Sequence, residues 1–368
     1  MRIAQVAPLY EAVPPHRYGG TERVVSYLTE ELVRRGHDVT LFASGDSRTS
    51  ARLVPTIDRA LRERSTLQEL QELAIPLHLA MLSQVFQRAD EFDIIHCHVD
   101  FFPFAFEPLV RTPIVTTLHG RLDLLHWKPI MQRFPRTALV SVSNHQRRPL
   151  EEVHPRWVGT VYHGVPVEEF PFSPTPGDYL LFVGRIAPEK RVDWAVAIAQ
   201  RVGMPLKIAA KVDPYDQAYY EEHIRHLFAD PLITFVGEVD EHTKRQLMAG
   251  AYALLFPIDW PEPFGMVQIE AMACGTPVLA LDRGAVPEVV RDGVSGFIGA
   301  TVDDLVAAVP RVATLDRWAC RREAAQRFSA RAMAASYERV YQRVLAEHRR
   351  APRTPPLEVP AQRRPIAA

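Results

Sequence analysis

The sequence is short of cysteine, of net charge and of long apolar runs, and each shortage removes a class of protein. Its three cysteines, Cys97, Cys274 and Cys320, are odd in number, lie far apart and form no Cys-x-x-Cys pair. That spacing argues against a zinc knuckle or a dithiol redox motif, and reduced, buried thiols are expected. Lys and Arg number 43 against 44 Asp and Glu, so no global positive field recommends nucleic acid or an anionic membrane as the main partner. No apolar stretch reaches the roughly 18 residues that would span a bilayer. Met1 runs straight into a short apolar strand, without the longer apolar region and cleavage site of a signal peptide. A cytoplasmic protein is the expectation, with peripheral membrane contact left open. Pro8 to Gly20, after the first strand, lacks Gly-x-Gly-x-x-Gly, which sets aside a Rossmann dehydrogenase. No Asp-x-Asp metal signature occurs.

What is present suits a folded chain of two domains. The 368 residues exceed a typical domain of about 100–200, and 47% hydrophobic with 24% charged residues argues against extensive disorder. Residues 2–7 read as a strand and 8–20 as a loop. A helix follows over 21–35, with Val24, Val25, Leu28, Leu32 and Val33 on one face, Thr21 as its cap and Gly36 at its end. Further strands are expected at 38–43, 94–98, 114–118, 138–142 and 157–162. Four prolines and a glycine between Pro166 and Asp178 break helix and strand alike, marking a linker. A second alternation follows, with strands at 179–183, 206–210, 233–236, 253–256 and 278–280 and helices such as 192–202 and 216–227. The pattern predicts an α/β protein with two doubly wound parallel sheets and a cleft between them, ligands binding beyond the carboxyl ends of the strands. The expected division is a first domain over 1–165, the linker 166–178, a second domain over 179–329, and a disordered Pro- and Arg-rich tail over 351–368.

The most informative stretch is Pro261-Glu262-Pro263-Phe264-Gly265-Met266-Val267-Gln268-Ile269-Glu270-Ala271-Met272-Ala273-Cys274-Gly275-Thr276-Pro277-Val278. It puts one carboxylate in a proline-bounded loop, then a glycine, then a short helix bearing a second carboxylate and ended by Cys274-Gly275. Amides freed at Gly265, Met266 and Val267 suit phosphate, while the carboxylates suit sugar and ribose hydroxyls. Read alone, the same residues also describe an ordinary capped helix with a surface Glu.

The stretch resembles the Glu-x7-Glu signature of family 4 retaining glycosyltransferases, which have the two-Rossmann-domain GT-B fold. The resemblance implies that Glu262 meets the donor-sugar hydroxyls and Glu270 the ribose, with Phe264 and Gly265 within the matched run. Val183-Gly184-Arg185-Ile186-Ala187-Pro188-Glu189-Lys190 is similar to the family segment whose Arg and Lys contact the diphosphate, with Arg191 where the family often has glycine. Cations there offset charge developing on the leaving group. Tyr18-Gly19-Gly20-Thr21-Glu22 resembles the family's glycine loop, whose amides approach the donor phosphates, and His119-Gly120 matches its active-site His, near the donor hexose and the acceptor. His119, Arg185, Lys190 and Glu262 are therefore the expected catalytic residues. Gly19, Gly20, Arg185, Lys190, Glu262, Phe264, Gly265, Met266, Val267 and Glu270 are expected to bind the donor.

The resemblance covers the chain to about Glu347 and implies a last helix, over about 330–347, crossing back onto the first domain. It further implies transfer of a hexose from a nucleoside diphosphate sugar, by front-face displacement, with no metal or other cofactor. UDP-glucose is suggested by its frequency in the family; the acceptor, a sugar, lipid or small molecule, is not identified. A phosphorylase or sugar-nucleotide epimerase on the same fold, and a non-catalytic nucleotide-sugar binder, are the alternatives.

Other conspicuous residues give less. In His96-Cys97-His98-Val99-Asp100, strand alternation sends His96 and His98 to one face and Cys97 to the other, which disfavours a metal site and leaves His98 or Asp100 to touch an acceptor. Tyr162-His163-Gly164-Val165 resembles the family's entry to the interdomain crossover. Lys211 and Glu238 stand near the expected base site or on plain loops. The segments 67–88 and 121–134 are taken as acceptor-facing loops.

Overall fold

Short runs of Val, Ile and Leu bounded by polar turns become strands, and the amphipathic stretches between them become the helices that cover both faces. The computed structural model describes residues 1–350; the expected disordered tail, 351–368, lies outside the described residues. Seven strands, β1 (Arg2–Val6), β2 (Asp38–Ala43), β3 (Arg52–Pro55), β4 (Ile94–Cys97), β5 (Ile114–Leu118), β6 (Leu139–Ser141) and β7 (Trp157–Thr160), form one sheet in the order β3-β2-β1-β4-β5-β6-β7. Six more, β8 (Leu180–Arg185), β9 (Leu206–Lys211), β10 (Ile233–Phe235), β11 (Ala253–Phe256), β12 (Val278–Leu281) and β13 (Gly296–Gly299), form the second in the order β10-β9-β8-β11-β12-β13. Every pairing is parallel. In each sheet the winding reverses beside its first strand, between β1 and β4 and between β8 and β11. Ligands of open α/β sheets sit at such a reversal, beyond the carboxyl ends of the strands.

The core of the first sheet lies on two sides. On one, Ile3, Ile94, Val115 and Val140 pack against Val24, Leu28 and Leu32 of the helix Gly20–Arg34 and against Met333, Tyr337, Tyr341 and Val344 of the helix Ala330–Arg350. That last helix follows the second sheet in sequence yet packs on the first. Val165 bridges to Ser329 at the crossing, where a Cβ on Gly164 would lie 2.3 Å from the Ser329 carbonyl oxygen. Glu338 then accepts from Arg35 Nε at 2.9 Å and bonds His37 Nε2 at 2.8 Å. On the other side, Ala4, Val6, Ile95 and Cys97 pack against Met81, Leu82 and Val85. Cys97 thus faces away from His96, as alternation requires, and all three cysteines are free and buried.

Several local expectations are corrected. Residues 67–88 are not a loop: Leu67–Gln87 is a helix, begun by a capping box in which Thr66 and Glu69 satisfy each other's backbone amides. Part of 121–134 is also helical, over Trp127–Arg133. Thr21 does not cap its helix, which begins at Gly20 behind Gly19 with no side-chain cap. The helix expected at 216–227 breaks into an α turn, a π turn and a 3-10 turn, with Ile224 its one buried side chain and hence one anchor. Strands β3 and β13 were not anticipated. The former is a part-exposed Arg-Leu-Val-Pro edge, and the latter is Gly-Phe-Ile-Gly, so neither alternates.

The returning helix buries Met333, Tyr337, Val340, Tyr341 and Val344. At about 1.5–3 kcal/mol for each large apolar side chain, their burial rivals a typical domain's whole net stability. A chain ending at Ser329 is expected to lose cooperative thermal unfolding and solubility; a sharp transition at the full-length Tm would contradict this packing.

Candidate active site

The carboxyl ends of the two sheets face each other across one cleft. Gly19, Gly20, His119, Arg185, Lys190, Glu262, Phe264, Gly265, Met266, Val267 and Glu270 all line it, so the residues expected to be catalytic or to bind the donor are brought together. Gly19 and Gly20 follow β1, His119 follows β5, Arg185 ends β8 and Glu262 follows β11, placing the site at both winding reversals.

The first sheet supplies a close-approach wall and an imidazole. A Cβ on Gly20 would meet nothing within 4 Å, whereas one on Gly19 would press into Pro15 at 2.7 Å. Gly19 is therefore fixed by packing, and Gly20 leaves its backbone open to a ligand. His119 stacks on His163, with ring centroids 5.2 Å apart. Its Nε2 lies 2.9 Å from His98 Nδ1, while its buried Nδ1 has no partner among the described residues. Burial pushes the His119 pKa down to about 3, so the ring is neutral at physiological pH. His98 is buried behind it, which corrects the idea that His98 touches an acceptor. Asp100, in a left-handed backbone conformation after β4, is not among the cleft residues.

The second sheet supplies cations and carboxylates. Arg185 donates to Glu189 at 2.8 Å and pairs with Asp216 at 3.3 Å. Burial opposes its charge, but Asp216, Tyr18 and Glu189 outweigh burial and raise its pKa. Lys211 ends β9 in register with Arg185 and lines the same cleft. Lys190 pairs with Glu262, which also accepts from Trp260 Nε1 at 2.8 Å, and the ammonium lies 4.6 Å from the centre of the Trp260 ring. Glu270, 2% exposed, accepts from Lys244 at 2.9 Å through Oε1, while its buried Oε2 has no partner among the described residues.

Backbone geometry aims these groups. Gly265 caps the helix Met266–Ala273 at φ 82°, and a Cβ there would meet Phe256 and Gln268 below 3 Å. The first-turn amides of Met266 and Val267 have no acceptor within the helix. Gly284 lies so close to Glu262 that a Cβ would sit 2.3 Å from both its N and its O, beside the bond from Ala285 N to Glu262 O at 2.9 Å. Arg191 holds φ 54° at the start of the helix Val192–Val202, a conformation natural to the glycine common there in the family and costly to other residues. Asp193 anchors its guanidinium through two bonds, and it packs 3.4 Å from the centre of the Trp194 ring.

Sequence reasoning missed a set of charges that joins the two halves. Arg23, from the first domain, pairs with Glu241 at 3.2 Å, and Glu241 in turn meets Lys244 and Arg245. Burial would raise the Glu241 pKa, but Lys244, Arg23 and Arg245 hold it down. Arg245 also donates to Tyr27 at 3.3 Å, and Arg17 approaches Glu238 at 3.7 Å. Elsewhere Glu288 accepts from the amides of Asn144 and His145 and from the Tyr162 hydroxyl, at 2.7–3.0 Å. The helix Glu241–Ala249 has the composition of a solvated surface helix, so nothing in its own sequence marks Lys244 as a partner of Glu270.

Gly284 yields a test that leaves every polar group in place. Gly284→Ala displaces the Glu262 loop, and a shift near 1 Å is enough to cost roughly a hundredfold in turnover, with strain of about 1–3 kcal/mol in stability. Native turnover in that variant would show that the position of Glu262 does not matter.

Comparison with known proteins agrees with this geometry. The model for Glycosyltransferase Family 4 matches residues 18–169, and that for Glycosyl transferases group 1 matches residues 168–333. The alpha-maltose-1-phosphate synthase of Mycolicibacterium smegmatis is 28% identical over 339 residues, covering 81% of this chain and 84% of the relative. The phosphatidyl-myo-inositol mannosyltransferase of Mycobacterium leprae is 27% identical over 378 residues, covering 94% and 97%. Among solved structures, the sucrose-phosphate synthase of Thermosynechococcus elongatus superposes with a TM-score of 0.74 at 18% identity, over 94% of this chain and 99% of that one. Anabaena HepE in complex with UDP and glucose superposes with a TM-score of 0.69 at 19% identity, over 93% and 100%. With a parallel α/β sheet in each half, a shared cleft and two family models that together run from residue 18 to 333, this chain belongs to the family 4 glycosyltransferases of GT-B fold.

Proposed function

We propose that the enzyme is a cytoplasmic, retaining hexosyltransferase that takes its sugar from a nucleoside diphosphate sugar, with UDP-glucose the first donor to test. The observation that carries this reading is the bare Oε2 of Glu270, buried in the same cleft as Arg185, Lys190 and the amides before the helix Met266–Ala273. A buried carboxylate oxygen without a donor leaves a large desolvation cost unmet, and a ribose hydroxyl at that point removes it. Arg185, Lys190 and the amides of Gly265, Met266 and Val267 then hold the diphosphate. They offset the negative charge that grows on it as the bond to the anomeric carbon breaks.

Glu262, held by Lys190 and Trp260, accepts from hydroxyls of the hexose, and His119 faces the same sugar from the first domain. In the front-face displacement we adopt, the acceptor oxygen attacks from the side the diphosphate leaves, and its proton passes to the departing phosphate oxygen. The glycine loop and the cation-bearing loops close on opposite sides of the donor and exclude the water that would hydrolyse it. The UDP and glucose in the HepE complex support a uridine donor. The relatives' names point to different acceptors, so only a sugar, lipid or small-molecule acceptor is proposed.

Because side chains and amides do the cationic work, no metal or other cofactor is assigned, and turnover of UDP-glucose should persist in excess chelator. Loss of turnover in chelator, restored by magnesium or manganese, would overturn that assignment.

The two glutamates test the placement of the donor. Glu270→Gln should weaken both UDP and UDP-glucose in calorimetric titration by at least tenfold, the value of about 1.5–3 kcal/mol for hydrogen bonds to a charged group. Glu262→Gln should leave UDP affinity near native while reducing affinity or turnover for UDP-glucose. Equal weakening of UDP in both folded variants would contradict the division of ribose and hexose between them.

A further inference from the structure

Behind the cleft, a buried chain of polar side chains runs from the returning helix to His119. Tyr341 accepts from Gln5 Nε2 at 3.1 Å, Gln5 Oε1 lies 2.8 Å from His98 Nε2, and His98 Nδ1 lies 2.9 Å from His119 Nε2. Gln5 and Tyr341 are fully buried and His98 is 3% exposed, so water does not reset the order of these bonds. Burial also pushes the pKa of His98 well down, leaving it, like His119, with one ring N–H.

The donors can be assigned from one end. The amide oxygen of Gln5 only accepts, so His98 carries its hydrogen on Nε2 and presents a bare Nδ1. His119, which lines the cleft, must then donate to it from Nε2, and its Nδ1, buried and without a partner among the described residues, is a lone pair. The orientation of the Gln5 amide decides the direction. As it stands, its two N–H groups face the Tyr341 hydroxyl at 3.1 Å and His96 Nδ1 at 3.5 Å. Turned over, an N–H would point at His98 and the donation to the Tyr341 hydroxyl would be lost.

We propose that Gln5 and His98 are positioning residues that fix His119 as its Nε2–H tautomer, so that Nδ1 accepts a hydrogen bond from a hydroxyl of the transferred hexose. The identity of that ligand rests on the donor reading above; the tautomer does not. The arrangement makes His119 selective for a sugar bearing a hydroxyl at that point, since a deoxy sugar leaves the buried Nδ1 unpaired. It also gives the crossing of the last helix a role in the site, because Tyr341 holds the Gln5 amide.

Two measurements on the full chain test this. Nitrogen NMR of protein carrying 15N-labelled histidine, with the His119 signals identified by their loss in His119→Asn, should show a proton on Nε2 and none on Nδ1 without any ligand. Gln5→Leu should mix the two tautomers and weaken UDP-glucose about twofold for an even mixture, because only the Nε2–H form accepts the hydroxyl, with UDP affinity unchanged. Tyr341→Phe should shift both readouts in the same direction by less. A merely structural role for Gln5 would lower the Tm without moving the ratio of the two affinities. A proton on Nδ1 in the native protein, or an unchanged UDP-glucose to UDP ratio in folded Gln5→Leu, would overturn the inference. Failure of the native protein to bind UDP-glucose would instead overturn the donor reading, and the ligand-free spectrum would still decide the tautomer.

Discussion

The parallel order of both sheets is the constraint on which the rest depends. Parallel strands deliver all their carboxyl ends to one side, so each sheet has a single edge of loops on which functional groups collect. When two such edges face each other, residues as far apart in sequence as Gly19 and Glu270 share one cleft. The long returning helix shares one face of the first sheet with the helix Gly20–Arg34 and ties the last segment to the first.

Within the cleft, opposite charges hold one another in position. Lys190 pairs with Glu262, Lys244 bridges Glu241 and Glu270, and Arg185 is spanned by Glu189 and Asp216. Isolated charges in such a space would carry a heavy desolvation cost, which pairing offsets while it holds the side chains in place. Under the proposed function, a diphosphate sugar exchanges these partners for its own phosphates and hydroxyls. Among the described residues, the cleft atoms left without a hydrogen-bond partner include Glu270 Oε2, His119 Nδ1, His163 Nδ1 and Arg185 Nε; the carboxylate oxygen only accepts and the guanidinium only donates, which suits a ligand that carries both hydroxyls and phosphates.

Much of this was legible in the sequence. The alternation of apolar runs with amphipathic stretches located eleven of the thirteen strands among the described residues, and the Pro261–Val278 stretch picked out residues that line the cleft, because both are short-range signals. What escaped has one physical cause: it depends on where distant segments meet. Strand β13 lacks alternation because it is buried between flanking glycines, and β3 is an edge. Lys244 and Arg23 look like solvated charges until the two halves are set together. His98 looked like a residue at a strand end free to touch an acceptor, and only its burial behind His119 shows otherwise. The helix Leu67–Gln87 was within reach, since Thr66-x-x-Glu69 is a start signal.

The central claim is that the donor diphosphate lies between Arg185, Lys190 and the amides of Gly265, Met266 and Val267, with ribose on Glu270 and hexose toward Glu262 and His119. A crystal structure of the full chain with bound UDP-glucose tests it most directly. The account predicts phosphate oxygens within hydrogen-bond distance of both cations and of the helix amides, with the ribose hydroxyls on Glu270. A diphosphate bound outside this group, or a ribose away from Glu270, would contradict it.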